Sequence, residues 1–334
     1  MNLYAYVGRR LLLLVPTLLG VLTVTFFISH IVPGDAAQMI AGPRATAEII
    51  ARIRQEYGLD RPLHVQYGLY LSQVLRGDLG RSILTRRPVA RDILDYFPAT
   101  FELTTAALLI AVVVGIPLGM VSAVYRNRTV DHVSRAFSVV GVSMPIFWLG
   151  LLLMLVFYMK LGVLPGAGRV SGDPPDRVTG LYVLDSLLTG NWRAFADAAL
   201  HLVMPACTLA FAVLARITRM TRSSMLEAFA QDYVRTARAK GLGERWVAVR
   251  HALRNALIPT LTVIGLSYGE LLGGAVATEL IFAWPGMTHY VVGSMTSLDF
   301  PAVMGVTLVI SLVYILVNLV VDVSYALVDP RIRY

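Results

Sequence analysis

Residues 232–259 read DYVRTARAKGLGERWVAVRHALRNALIP. This stretch is basic and polar, yet it lies between two long apolar runs. Its pattern is locally ordered. Asp232 is placed to cap a short helix over Tyr233–Lys240, because a carboxylate there can accept from the free N–H groups of the first turn. Gly241 stands where that helix must stop, a position that commonly needs a left-handed residue. Glu244 suits the first turn of a second helix, and Trp246, Val249, Leu253 and Leu257 follow at helical spacing as its apolar stripe. Two short helices about a glycine turn make a compact knob. A nucleic-acid arm would instead be Lys-rich and disordered. A lipid-headgroup anchor explains the arginines but not the capped, glycine-hinged geometry. A docking site for another protein explains both.

The rest of the chain supplies the setting. Of its 334 residues 56% are hydrophobic and 15% charged, and the mean hydropathy is +0.66. A soluble domain carries roughly 25% charged residues. Six apolar runs are long enough to cross a ~30 Å hydrocarbon layer at about 1.5 Å per residue. They are Leu11–Val32, Ala99–Val124, Phe137–Met159, Leu200–Arg219, Pro259–Phe282 and Val303–Val323. The first is too long for the core of a cleaved leader and reads as a retained span. The fourth is the weakest, because Pro205 and Arg216 interrupt it. Pro16, the GIPLG of Gly115–Gly119 and Pro145 also fall inside spans. Such residues are tolerated in lipid where neighbouring helices satisfy the freed backbone, so a packed bundle is expected. The expected fold is an all-α polytopic membrane protein of six transmembrane helices.

Charge sets the expected orientation. The net charge is +8 and nearly all cations are Arg. Arg126, Arg128 and Arg135 separate spans two and three, nine Arg or Lys lie from Arg216 to Arg254, and Arg331 and Arg333 close the chain. The stretch Ala283–Pro301 has neither Lys nor Arg. By the positive-inside rule both termini and the basic loops are cytoplasmic. The expected division is 1–32 (terminus and first span), 33–98 (external), 99–325 (core, with a cytoplasmic loop at 220–258) and 326–334 (cytoplasmic tail). In the external segment, Thr46 can cap a helix through Tyr57 with Ile49, Ile53 and Tyr57 on one face and Gly58 closing it. Pro62 can open a second helix ending near Gly77, and a third short helix can begin near Pro88. The loop 162–199 reads as external.

Several chemistries lack their residues. Neither lysine follows a glycine pattern of the phosphate-loop kind, no H-E-x-x-H occurs, and the single Cys207 sits in an apolar run and permits no internal disulfide. No metal site, nucleic-acid surface or nucleophile–base pair is read. Any ATP use belongs to a partner. Glu270 lies mid-span, where an acidic group is costly and often functional. Both a pore-facing or interhelical role and an ion-coupling role fit it; Glu102, Glu279 and Asp322 lie nearer span ends, and Glu279 and Asp322 read as interfacial and structural. Gly265, Gly269 and Gly273 recur at steps of four in span five and let another helix approach, inside one subunit or at a pore or subunit interface.

The knob resembles the EAA loop of permease subunits of ABC importers: EAA, three residues, Gly. Arg235-Thr236-Ala237 stands at the EAA place and Gly241 at the Gly place. The pattern's later Pro is met here by Arg254, and a proline comes only at Pro259. VPGD, YGLDRPLHVQY, GDLGRSI, GVSMPIFWLG, TRSSMLE, TELIFAWPGM and the terminal DPRIR extend the similarity, in order, to the first permease subunit of dipeptide/oligopeptide importers. This resemblance implies a type I ABC importer permease in a prokaryotic cytoplasmic membrane. Its implied partners are a homologous second permease, two cytoplasmic ATPases that bind ATP and Mg, an external peptide-binding protein and a peptide substrate, with no cofactor in this chain. Asp232, Tyr233, Arg235, Thr236, Ala237, Arg238, Lys240, Gly241, Gly243 and Glu244 are then the ATPase-coupling residues. Nickel complexes or glutathione are alternative cargoes, and an ion-coupled secondary carrier is the alternative from another class. No residue in the spans reads as a clamp for peptide termini, which leaves cargo choice to the binding protein.

Overall fold

The computed structural model describes residues 3–31, 36–41, 45–56 and 58–328. The motifs VPGD and DPRIR, and Tyr57, lie outside the described residues. In chain order the helices are α1 Leu3–Ile31, α2 Ala36–Ala41, α3 Ala47–Glu56, α4 Leu63–Leu75, α5 Val89–Val124, α6 Thr129–Ser143, α7 Ile146–Lys160, α8 Tyr182–Leu188, α9 Trp192–Phe229, α10 Asp232–Ala239, α11 Glu244–Gly274, α12 Val276–Ile281, α13 Met287–Thr296 and α14 Phe300–Val328. Among the described residues the only β pairing is the isolated bridge Arg81–Pro88. By length and composition α1, α5, α9, α11 and α14 can cross a membrane, and the bent pair α6–α7 makes a sixth span if taken together.

Four boundaries differ from the sequence reading. The helix expected near Pro88 and span two are one helix, α5, with Pro98 and Pro117 inside it. A proline removes one backbone bond and kinks a helix, but need not end it where both flanks are packed. Here Val89 and Ile93 on one side, and Ala99 and Leu103 on the other, are all buried. Span three is not a single rod: α6 and α7 meet at 105°. Met144 at the break is extended (φ −79°, ψ 125°), the conformation favoured before a proline, here Pro145. Span four, expected as the weakest, is the longest helix, and 61% of its apolar window is buried against 11% for α1 and α14. It continues to Phe229, so residues 220–229 are helix rather than loop. Finally, the second helix of the knob is continuous with span five. α11 starts at Glu244, widens to π-type turns over Val247–Ala252 and runs on through Pro259 to Gly274.

The described residues form two compact units. In one, residues 9–97 associate with 286–313. Its α4 lies along α1: the Thr23 and Tyr67 hydroxyls are 2.6 Å apart, and the Phe26 ring meets those of Tyr67 and Tyr70. Burial pushes the Tyr70 phenol up to about 12. Pro62 precedes α4 as expected, and the Thr46 hydroxyl accepts from the Ile49 N–H at 3.4 Å. Ile49 itself, expected on an apolar face, is 47% exposed. The GDLGRSI loop is clasped by buried Asp299, whose carboxylate accepts from the Ser82 hydroxyl, from Leu84 N–H at 3.1 Å and from Ala302 N–H in the first turn of α14. Asp92, also buried, accepts from Thr85 and from Tyr290, whose phenol is pushed up, chiefly by burial.

The second unit holds residues 98–285 with 314–328 and 3–8. Ala99, Leu103, Ala107 and Ala111 recur at steps of four along α5 and share a core with Leu209, Ala210, Val213, Leu214 and Ile217 of α9. Small residues let the helix backbones approach, which replaces the missing hydrophobic drive between helices in lipid. The approach is closest at Gly119, where a Cβ would lie 2.6 Å from the Thr218 carbonyl oxygen. The N-terminal half of α5 carries three polar anchors. The Trp284 indole N–H donates to Ala99 O at 2.8 Å, Thr100 donates to Glu279 at 2.6 Å, and Glu102 is paired with Arg169 at 2.6 Å. Arg169 also donates to Gly180 O and stacks on Tyr182. Beside it, Asp185 is buried and its carboxyl is nevertheless held below the usual range. Burial alone would raise it, but the Thr179 hydroxyl and the N–H groups of Val178, Thr179 and Gly180 together outweigh that.

Candidate functional site

The basic segment folds into a helix–turn–helix corner. α10 spans Asp232–Ala239, and Gly241 follows with φ +78°, the left-handed region that glycine enters without steric cost. Asp232 does not cap it. The N-cap is Gln231 with no side-chain bond, and Asp232 is the first helical residue, its carboxylate 3.5 Å from Arg235. Charge near the N-terminal dipole replaces the hydrogen bond that was expected. Arg238 closes the corner instead, donating to both oxygens of Glu244 at 2.7 and 3.1 Å across the Gly241 turn. Underneath, Val234, Ala237 and Val247 are buried, with Phe229 and Leu242 packed against them.

The return helix presents a different face from the one expected. Trp246 and Val249 are 55% and 53% exposed, whereas Ala248, Ala252 and Ala256 are buried against Ala123, Met225 and Ala228. Alanines admit closer packing than the bulkier stripe would, and the π-type turns shift the helical register. Tyr233, Arg235, Thr236, Lys240, Gly243 and Glu244 are exposed. The corner therefore offers a polar surface on an apolar base.

One residue that sequence reasoning missed ties this corner to the bundle. Asp131, wholly buried in the first turn of α6, accepts from Arg222 Nε at 2.6 Å, Arg222 Nη2 at 2.9 Å, the Ser122 hydroxyl at 2.7 Å and the Asn127 N–H at 2.9 Å. Asn127 has φ +61°, so the α5–α6 turn is wound around this carboxylate. Arg222 lies two turns before the end of α9. The carboxylate thus joins α5, α6 and α9 just where α9 leads into the knob.

The candidate pore residues separate. Glu270 pairs with Arg216 of α9, a residue read from sequence as an interruption of span four. Gly265 and Gly269 face α14 of the same chain: a Cβ on Gly265 would lie 2.5 Å from Val321, and one on Gly269 would overlap the Tyr314 ring. Gly273 has nothing within 4 Å of such a Cβ, so it does not share that contact. Gly269→Leu is expected to lower the amount of folded subunit, since overpacking a close contact costs roughly 1–3 kcal/mol. Adding Tyr314→Ala should restore part of it. Size-exclusion profiles of the solubilised subunit measure both. Wild-type amounts of Gly269→Leu would remove the contact from the account.

Comparison with known proteins adds to this geometry. Residues 115–334 match the family model described as "Binding-protein-dependent transport system inner membrane component", and residues 3–104 match its N-terminal counterpart. The chain belongs to that family. Similar to this permease are the probable D,D-dipeptide transport system permease protein DdpB of Escherichia coli K12, 52% identical over 99% of this chain and 98% of the relative, and the dipeptide transport system permease protein DppB of Alkalihalophilus pseudofirmus, 46% identical over 99% of each. The glutathione transport system permease protein GsiC of Salmonella choleraesuis is 44% identical over 98% of this chain and 99% of its own length. Among the described residues the permease has no cluster of three or more metal-ligating side chains. The resemblance drawn from the EAA-like segment and the flanking motifs is thereby confirmed at the level of the family. Local spacing could not have found Asp131 or Arg216: their partners lie 91 and 54 residues away.

Proposed function

We propose that this permease forms half of the translocation path of an ATP-driven importer of short peptides, paired with a homologous second permease and served by two cytoplasmic ATPases and an external binding protein. The observation that carries the reading is the knob. A polar, exposed corner about Gly241 is built on a helix that continues without interruption into a span. A partner that moves the corner therefore moves the span, and biases the bundle between two arrangements as alternating access requires. The dipeptide permeases among the relatives support peptide cargo, and the glutathione permease supports glutathione, itself a peptide, as the second reading. In this reading α10, Gly241, Gly243 and Glu244 dock the ATPase, α5 to α14 form the transport core and α1 lies at its periphery. Peptide uptake into cells should collapse on ATP depletion and survive an uncoupler; the reverse would favour an ion-coupled carrier.

The reading also fixes orientation, with both termini and the knob in the cytoplasm. In a chain with Cys207 replaced, a cysteine at Tyr70 or Thr296 should react with an impermeant thiol reagent in intact cells. One at Lys240 should not. Labelling at 240 from outside would reverse the orientation.

A further inference from the structure

If the transport reading above holds, the Arg216–Glu270 pair has a role within it. Glu270 sits midway along the apolar run from Pro259 to Phe282, yet its side chain is 58% exposed and that of Arg216 31%. The pair is part of a stripe. Thr262, Leu266, Glu270 and Gly273 are all exposed on α11, and Arg219 is exposed on α9 one turn from Arg216. Arg219 has no ion-pair partner among the described residues.

Charged groups at this depth cannot face lipid cheaply, paired or not. Nor does an apolar helix of a second permease suit them: covering the pair and the unpaired Arg219 would strip their water, and desolvation can exceed the Coulombic gain. A water-lined passage leaves all three hydrated. The chemistry of the pair then matches one cargo. A free peptide is a zwitterion. Its α-ammonium complements the Glu270 carboxylate, and its carboxylate complements the planar guanidinium of Arg216, which can bind two oxygens at once. Without cargo the two side chains neutralise each other; with cargo one ion pair is exchanged for two.

We propose that Arg216 and Glu270 form a binding site in the translocation path for the charged ends of a zwitterionic short peptide. Cargo choice is then shared with the binding protein, contrary to the expectation from sequence. The test uses the complete transporter in proteoliposomes with one unchanged binding protein, so that any change in discrimination belongs to the permease. Glu270→Gln should cut the preference for a free dipeptide over its N-acetylated form by about tenfold. Arg216→Gln should do the same for the free dipeptide over its C-terminal amide. A photo-reactive benzoylphenylalanine in place of Leu266 should cross-link radiolabelled dipeptide during ATP-driven turnover. Unchanged preferences, or cross-links only to the second permease or to lipid, overturn the site. Absence of ATP-driven uptake by the wild-type complex would instead overturn the transport reading beneath it.

Discussion

Replacing Asp131 by Ala is expected to remove most of the folded subunit from the membrane. The carboxylate is fully buried and receives four hydrogen bonds, two of them from one guanidinium. Truncation leaves the Arg222 cation, 20% exposed, without its counter-charge, and leaves the Asn127 N–H without its acceptor. Breaking a buried pair from one side costs about 3–5 kcal/mol, a large part of the stability of most domains. The effect should be asymmetric. Asp131→Asn keeps the shape and one acceptor oxygen and should retain more protein than Asp131→Ala. The double variant Asp131→Ala with Arg222→Ala removes both charges and should be less damaged than Asp131→Ala alone, which is the signature of coupling in a double-mutant cycle. The measurement is the midpoint of thermal aggregation for the detergent-purified subunit. Equal midpoints for wild type and Asp131→Ala would show that the α5–α6 turn holds without its carboxylate.

Gly241→Val should act in the opposite way, sparing the fold and abolishing transport. At φ +78° a β-branched side chain is strained whatever space surrounds it, although nothing lies within 4 Å of the added Cβ. The strain is therefore local to the turn. It should open the angle between α10 and α11 and weaken the Arg238–Glu244 bridge, while the contacts of the spans are untouched. In reconstituted complexes with saturating binding protein and cargo, the variant should be present at wild-type amounts but lose transport and cargo-stimulated ATP hydrolysis. Arg235→Ala, exposed and away from the turn, should be mild. If Gly241→Val transported normally, the corner would be no more than a headgroup anchor.

Much of the architecture was legible in advance for a physical reason: a hydrocarbon layer imposes long apolar runs, and these stand out in any sequence. The knob was legible because a glycine after a basic helix has few uses other than a left-handed stop. The ends of the spans were not. Hydropathy marks where lipid begins, whereas α5, α9 and α11 continue past that limit because their ends are packed on protein. Prolines were misread in opposite directions: Pro98 and Pro259 were taken as span boundaries and Pro145 as a residue inside a span. Pro98 and Pro259 sit inside continuous helices, while Pro145 marks a 105° bend. Which outcome follows depends on what packs on either side. The charges were the least legible. Arg216 and Arg222 look alike in sequence, as two members of a cytoplasmic cluster. Their roles are set by Glu270 and Asp131, which only the fold brings near.

The unbroken run of α11 has a mechanical side. Ala252, at the middle of its alanine-packed base, can be taken as a fulcrum. From there to Glu244 is about 12 Å of helix, and from there to Gly274 about 33 Å, at 1.5 Å per residue. In the proposed function the short arm is the one that would meet the ATPase, and the long arm belongs to the span. Rocking about that point magnifies displacement almost threefold, so a shift of about 2 Å at the corner swings the far tip by about 5 Å. The force available there falls by the same ratio. A stroke of this kind suits a gate that must travel far against little resistance.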